Sequence, residues 1–521
     1  ENLAQVVSVA AHIELVSSHL LAAHKSMGGI RADDLNSQAP VIAIFNVSMI
    51  GHVNPTFPLV MELVGRGCRV HYFLPPNEDI RRAARDSGAV VEGYLKDDPQ
   101  DLVLEQCGME QISPELPKEE QQLWRANIWP LASTLASGDY IIERCRTLGV
   151  QAVLYDPVTP HGLLVAQSLG LPCVSLVTYP GMGAGASLME DEQLLHRAMG
   201  IRAEIGRQIK ERFGVDVHDQ MLTRRQYYAA ENFITTSEDL VVPLPASGER
   251  PWADELRQHF CFEAVGCMVN QAAPHVAMAH KSSSSSNATT QSYFGSDLPV
   301  QELEAAKGRG DKILFCAFGT MALANRWDLD LGAESAGNLP KGTSGKAFCQ
   351  QMWSVLFEAL ELLGPGFHCV ISVGTQPDVL DFLPGGPGAL PASVTVRSSV
   401  PQVEMLRHAD AFISHAGFNS LQESVFEGVP MVAVPQAVDQ PANARKAEAS
   451  GWGRAFLEPM ASVTPESLAE ALREVTGTTS SAPFRAALSA TGAKLKGGEK
   501  RAADRLLELA ATCPKRCGSS S

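Results

Sequence analysis

The amino-acid sequence predicts an α/β protein of two Rossmann-like, doubly wound domains facing a cleft. Three observations carry that expectation. From about residue 40, short apolar strand-like runs alternate with amphipathic helix-like segments, the pattern of βαβ units and a parallel sheet. The alternation stops at a serine-rich stretch near 272–296 and then resumes, which divides the chain in two. Each half carries a glycine-containing turn between a strand-like run and a helix-like one. Ligands of such folds bind outside the carboxyl ends of the strands, and two such domains place the site between them.

Residues 1–39, with "VVSVAAHIELVSSHLLAAH", read as a helical N-terminal extension. The first domain covers 40–270. It opens with the strand "VIAIFNV" and the helix "TFPLVMELVGRG". The runs "RVHYFLPP", "DIRRAARDSG" and "VVEGY" follow, then "QAVLYD", "HGLLVAQSLG" and "PCVSLVTY". Residues 271–300 form a Ser-rich linker. The second domain, 301–495, resumes with the strand "KILFCAFG", the helix "FCQQMWSVLFEALELLG" and the strand "HCVISVG". It continues through "VTVRSSV", "AFISHAG", "SLQESVFEG", "PMVAVPQ" and "PANARKAEASG". A polar insertion at 322–345 interrupts it. A C-terminal helix at 496–512 and a tail at 513–521 complete the chain.

The formal net charge is −16, which argues against a phosphate-backbone binder, so no nucleic-acid partner is expected. Eleven cysteines are scattered through contexts such as "LPCVSL" and "LFCAFG" and read as reduced thiols of a cytoplasmic protein. Cys513 and Cys517 lack a second ligand pair, so no metal is expected there. The long uncharged stretches 41–61 and 161–189 are broken by Gly, Pro and His, so no integral membrane segment is expected. The chain begins at Glu1, which leaves targeting undecided, and the sequence sets no oligomeric state. "DLD" (328–330) has a metal-binding spacing but lies in the insertion. "NVS" (46–48) and "NAT" (287–289) fit the glycosylation pattern; the first falls in a predicted strand, and both are moot in the cytoplasm.

The most informative stretch is 411–441, "AFISHAGFNSLQESVFEGVPMVAVPQAVDQP". It reads as a strand, a glycine turn and a helix with a polar start and a glycine stop. Such a junction aims free N–H groups and the positive helix end at one spot, which suits a phosphate. His415, Asn419 and Ser420 add side-chain donors, and Glu423 lies one turn on, placed to accept from ribose hydroxyls. An ordinary βα turn with Asn or Ser as N-cap accounts for the same residues equally well.

The longer match "HAGFNSLQESVFEGVPMVAVPQAVDQPANA" resembles the nucleotide-sugar signature of family 1 UDP-glycosyltransferases, and the resemblance covers roughly residues 40–510. It implies the two-domain GT-B fold, with the acceptor in the first half and the UDP-sugar in the second. It also implies that His415, Gly417, Asn419 and Ser420 hold the diphosphate and that Glu423 holds the ribose. Asp439 and Gln440 match positions that bind sugar hydroxyls, and Thr320 in "AFGTMA" matches a residue near the β-phosphate. "SSVPQ" (398–402) resembles the loop under the base, where Val400 and Gln402 remain. Ser399 stands where the family usually has Trp. Losing an aromatic platform costs roughly 1–3 kcal/mol of stacking in nucleic-acid cases.

In the first half, "GHVNP" (51–55) ends a strand and starts a helix. His52 sits on that rim, and an imidazole is suited to take a hydroxyl proton. A lone histidine there is more often structural. The resemblance favours the catalytic role, since the family places its base in this turn. "VLYDPVTPHGLLVAQSLGLP" (153–172) resembles the region whose aspartate, here Asp156, pairs with that histidine and steadies the imidazolium. A cap residue before Pro157 is the other reading. The expectation is therefore an inverting, metal-independent hexosyltransferase with no resident cofactor. A UDP-sugar, UDP-glucose in the first instance, is its donor co-substrate, and a small lipophilic hydroxyl compound its acceptor. A non-catalytic UDP-sugar-binding protein and a sugar-nucleotide epimerase of the same fold are the alternatives.

Overall fold

The computed structural model describes residues 39–95, 118–181, 192–217, 226–269, 295–332 and 338–513. The expectations for the N-terminal extension up to residue 38, for 270–294 of the linker and for the tail with Cys517 lie outside the described residues.

Two wholly parallel sheets organise the chain. The first holds β1 (Val41–Phe45), β2 (Arg69–Phe73), β3 (Val90–Glu92), β4 (Ala152–Tyr155), β5 (Cys173–Val177), β6 (Glu231–Ile234) and β7 (Cys261–Ala264). Its order is β3-β2-β1-β4-β5-β6-β7. The second holds β8 (Lys312–Ala317), β9 (Phe367–Ser372), β10 (Val394–Arg397), β11 (Ala411–Ser414), β12 (Met431–Ala433) and β13 (Gly453–Ala455), in the order β10-β9-β8-β11-β12-β13. The central strands are apolar on both sides because helices cover both faces. In β1, Ile42 and Ile44 enter one core, while Val41, Ala43 and Phe45 enter the other.

Each sheet reverses its strand order once, between β1 and β4 and between β8 and β11. At the first reversal Phe45 pairs with Tyr155, and at the second Ala317 pairs with Ser414. A crevice opens where neighbouring connections leave in opposite directions. The residues just past these pairs, Asn46 to Val53 with Asp156, and Phe318 to Thr320 with His415 to Gly417, therefore line the two crevices.

Two details depart from the sequence expectation, and a third goes beyond it. The strand ends at Phe45, so Asn46 lies one residue beyond it. The 322–345 insertion is not simply polar: Trp327, Leu331 and Leu339 are buried in the second domain's core. The C-terminal helix, Gly498–Thr512, packs back onto the first domain rather than the second. Its Ala502, Ala503, Leu506 and Ala510 join the core around β1. Arg505 clamps Glu231 with two hydrogen bonds of 2.7 and 3.0 Å. Among the described residues no helix is long and apolar enough to cross a membrane.

Candidate active site

His52 lies in a single helical turn, Ile50–Val53, that follows β1. Asp156 is the first residue after β4. Because β1 and β4 are neighbours, the two side chains meet: His52 Nδ1 stands 2.6 Å from Asp156 Oδ2. The other carboxylate oxygen accepts from the Val158 N–H at 2.8 Å, so both oxygens are held. Thr178 Oγ1, past β5, lies 3.3 Å from the same imidazole nitrogen. Asp156 is buried, whereas His52 is partly open to the cleft. Burial by itself would lower the His52 pKa. The charge and hydrogen bond of Asp156 outweigh it, so the net shift is upward from 6.5. Asn46 fastens the turn by donating to the His52 carbonyl at 3.1 Å.

Across the cleft, Gly417 starts the helix Phe418–Glu427, and no side chain caps that end. Its first internal bond runs from the Leu421 N–H to the Gly417 carbonyl, so the N–H groups of Phe418, Asn419 and Ser420 have no partner within the helix. The His415 ring lies against this end. It fits because Gly319 and Gly417 flank it: a Cβ at either glycine would collide with the imidazole. Burial pushes the His415 pKa down to about 4, only partly offset by the Ala317 carbonyl, so the ring is neutral at pH 7. Its Nδ1 has no hydrogen-bond partner among the described residues.

Gln402, Ser420 and Glu423 form one cluster. The Gln402 amide donates to Ser420 Oγ at 3.0 Å and to Glu423 Oε2 at 2.5 Å. Burial raises the Glu423 carboxyl to about 7, against the lowering effect of the Gln402 bond. Val400 is buried in the apolar core, so its backbone is what it offers to a ligand. Ser399 is buried beside it. Gln440 is buried, and its side-chain oxygen accepts from the N–H groups of Gln436 and Ala437 at 2.9 and 3.3 Å. Asp439 accepts from Asn443 at 2.8 Å. Thr320 precedes a π-helical turn, Met321–Asn325, at the end of β8.

The structure thus gathers His52 with Asp156, Gln402 with Ser420 and Glu423, and His415 with Gly417. One bond joins the two turns of the site across the halves: the Asn419 amide donates to the Gly51 carbonyl at 2.8 Å. Among the described residues two non-glycine residues have left-handed backbone, Ala416 (φ 60°) and Val438 (φ 58°), one in each turn of the second domain's candidate site. Such a conformation costs an L-residue about 1–2 kcal/mol, and strain of this kind collects at functional sites. Sequence reasoning missed Asn46, Thr178, Gly319 and Asn443. Two had a local signal: Asn46 is a polar residue ending an apolar run, and Asn443 lies four residues after Asp439, on the same helical face. "DLD" gathers no ligand set, and among the described residues no three His, Cys, Asp or Glu side chains are placed to hold a metal.

The model for the family described as UDP-glucoronosyl and UDP-glucosyl transferase matches residues 376–482. The chain is 25% identical over 451 residues to the NDP-glycosyltransferase YjiC of Bacillus licheniformis, covering 84% of this chain and 89% of that protein. It is 26% identical over 441 residues to the oleandomycin glycosyltransferase of Streptomyces antibioticus, covering 83% and 81%. Among solved structures, the kitacinnamycin glycotransferase superposes with a TM-score of 0.59 at 21% identity, over 90% of this chain and 99% of that one. The calicheamicin glycosyltransferase CalG4 gives 0.58 at 19% identity, over 92% and 100%. Those two likenesses speak for the fold. Residues 376–482 thus match the UDP-glycosyltransferase family, the chain is similar over more than four fifths of its length to bacterial glycosyltransferases, and its two parallel sheets are those of the GT-B fold.

Proposed function

We propose that the protein transfers a hexosyl group, glucose in the first instance, from a UDP-sugar to a hydroxyl of a small lipophilic acceptor, with inversion at the anomeric carbon. The observation that carries this reading is the His52–Asp156 pair at 2.6 Å, one residue from the carbonyl that Asn419 binds. With Nδ1–H donated to Asp156, the lone pair of His52 Nε2 is free to take a proton. The acceptor O–H bond breaks to His52 while its oxygen bonds to the anomeric carbon. The bond from that carbon to the diphosphate breaks on the opposite face, and UDP leaves. The uncapped helix start at 417–420, with neutral His415 as a hydrogen-bonding group, receives the charge that develops on the diphosphate. Glu423 and Gln402 take the ribose, Asp439 and Gln440 the sugar hydroxyls, and Thr320 the β-phosphate. The backbone of Val400 takes the base.

The reaction in this form uses no resident cofactor or metal. The acceptor class rests on the apolar run "PCVSLVTY" and on the macrolide named for the oleandomycin enzyme. We assign the reaction to the cytoplasm, because all the described cysteines are unpaired. The test is turnover of UDP-sugars against a panel of phenols, sterols and macrolides, with wild type and His52→Ala. Loss of transfer in the variant is expected. A variant as fast as wild type would end the role of His52, and a wild type that binds no UDP in a calorimeter would end the donor reading.

A further inference from the structure

The two turns with left-handed non-glycine residues converge on one side chain. Asn443 lies in the helix Gln440–Ala449 and is buried. Its Nδ2 donates to the Ala416 carbonyl at 3.0 Å and to Asp439 Oδ2 at 2.8 Å. A side-chain amide nitrogen carries two protons, and these two bonds use both. Ala416 sits between His415 and Gly417, at the proposed phosphate site. Asp439 follows Val438, at the proposed sugar site. No other side chain among the described hydrogen bonds joins these two turns.

We propose that Asn443 is a positioning residue that holds the diphosphate turn and the sugar turn in one register, so that both ends of the donor are bound by a single framework. The inference rests on the donor reading above. Its physical basis is that each turn is strained and has an acceptor to satisfy. A left-handed Ala416 turns its carbonyl out of the strand-to-helix path, and that buried carbonyl needs a donor. A left-handed Val438 brings Asp439 to the start of the next helix. Burial raises the Asp439 pKa, and the Asn443 bond works against that rise. Without Asn443, the Ala416 carbonyl is unsatisfied and Asp439 is more readily protonated.

The test compares UDP and UDP-glucose on wild type, Asn443→Ala, Asp439→Ala and the double variant, with thermal melting as a control on folding. Asp439→Ala is expected to raise the KM for UDP-glucose and leave the Kd for UDP unchanged. Asn443→Ala is expected to raise both, each by about tenfold, as for the loss of a buried hydrogen bond to a charged or strained partner. In the double variant the two effects on UDP-glucose are expected to be less than multiplicative, since they act on one carboxylate. Donor KM in Asn443→Ala is expected to rise at acid pH more steeply than in Asp439→Ala, beyond the dependence both share with wild type. If Asn443→Ala melts lower but keeps both constants within twofold of wild type, the residue is a stabilising one only and the inference is overturned. Should that variant not fold, Asn443→Ser, which keeps one donor, is judged by the same constants. A wild type that binds no UDP removes the donor reading and the inference together. A wild type that binds UDP beside unchanged Asn443 variants removes the inference alone.

Discussion

The side-chain amide of Asn419 donates to the main-chain carbonyl of Gly51 at 2.8 Å, although the residues are 368 positions apart. Asn419 lies in the first turn of the second domain's helix, and Gly51 directly precedes His52. The proposed phosphate site and the proposed base are therefore joined by one bond. Asn419→Ala is expected to lower kcat/KM for the donor by roughly tenfold to a hundredfold, the range for removing a hydrogen bond to a charged group. Asn419→Asp should be worse, because a carboxylate would then face both a carbonyl and a diphosphate. Steady-state kinetics of the two variants decide it; values within twofold of wild type would refute the coupling.

The His52–Asp156 pair sets a pH dependence. The net effect on His52 is a raised pKa, with burial opposing and Asp156 prevailing. A base must be neutral to act, so kcat/KM should rise with pH through a value above 6.5. Asp156→Asn leaves burial without the compensating charge. Its acid limb should move down, and its plateau should fall by roughly 10²- to 10⁴-fold, as for loss of the carboxylate in other histidine-base systems. A pH–rate profile unchanged in position would contradict this.

The same shift has a stability consequence. The folded protein holds the His52 proton more tightly than the unfolded chain. The pair's contribution is thus complete below about the unperturbed histidine value of 6.5 and fades as pH rises through the raised folded value. Denaturant titrations should show Asp156→Asn losing more stability at pH 6 than at pH 9.

Glu423, raised to about 7 by burial, should make donor binding pH-sensitive in a different parameter. Its carboxylate can accept from two ribose hydroxyls, and protonation removes one of those acceptors. Donor KM should therefore increase as pH falls through about 7. Glu423→Gln should have a higher donor KM, by roughly tenfold, with no such pH dependence. A Glu423→Gln variant that keeps the wild-type pH profile would show that another group is responsible.

Transfer should survive chelation. The proposed charge stabilisation comes from the helix start and neutral donors, so millimolar EDTA should leave kcat within a factor of about two. Loss of activity with EDTA and its return with a divalent cation would overturn the metal-independent mechanism.

Leu506 is wholly buried in the first domain's core, although it belongs to the last helix of the chain. Leu506→Ala should cost about 2–5 kcal/mol of stability, the range for a core leucine. Calorimetry locates the effect: the first domain's transition should drop, and an unchanged melt would show that the helix does not contribute to that core.

The alternation of strand and helix, the turns at strand ends and the strand–turn–helix junction at 411–427 are legible in the sequence because they are local. They depend on periodicity, glycine placement and polar residues a few positions apart. The stretch "HAGFNSLQESVFEGVPMVAVPQAVDQPANA" also carries the resemblance to UDP-glycosyltransferases by itself. The tertiary structure alone decided which strand ends are neighbours. His52 and Asp156 meet only because β1 pairs with β4, and Gly319 shelters His415 only because β8 pairs with β11. The same holds for Asn419 reaching Gly51, for Asn443 fastening two turns and for the last helix returning to the first core. The energy of each such contact is shared among residues dozens to hundreds of positions apart. Strand order and domain packing settle those contacts by minimising exposed apolar surface over the whole chain, and no local spacing records them.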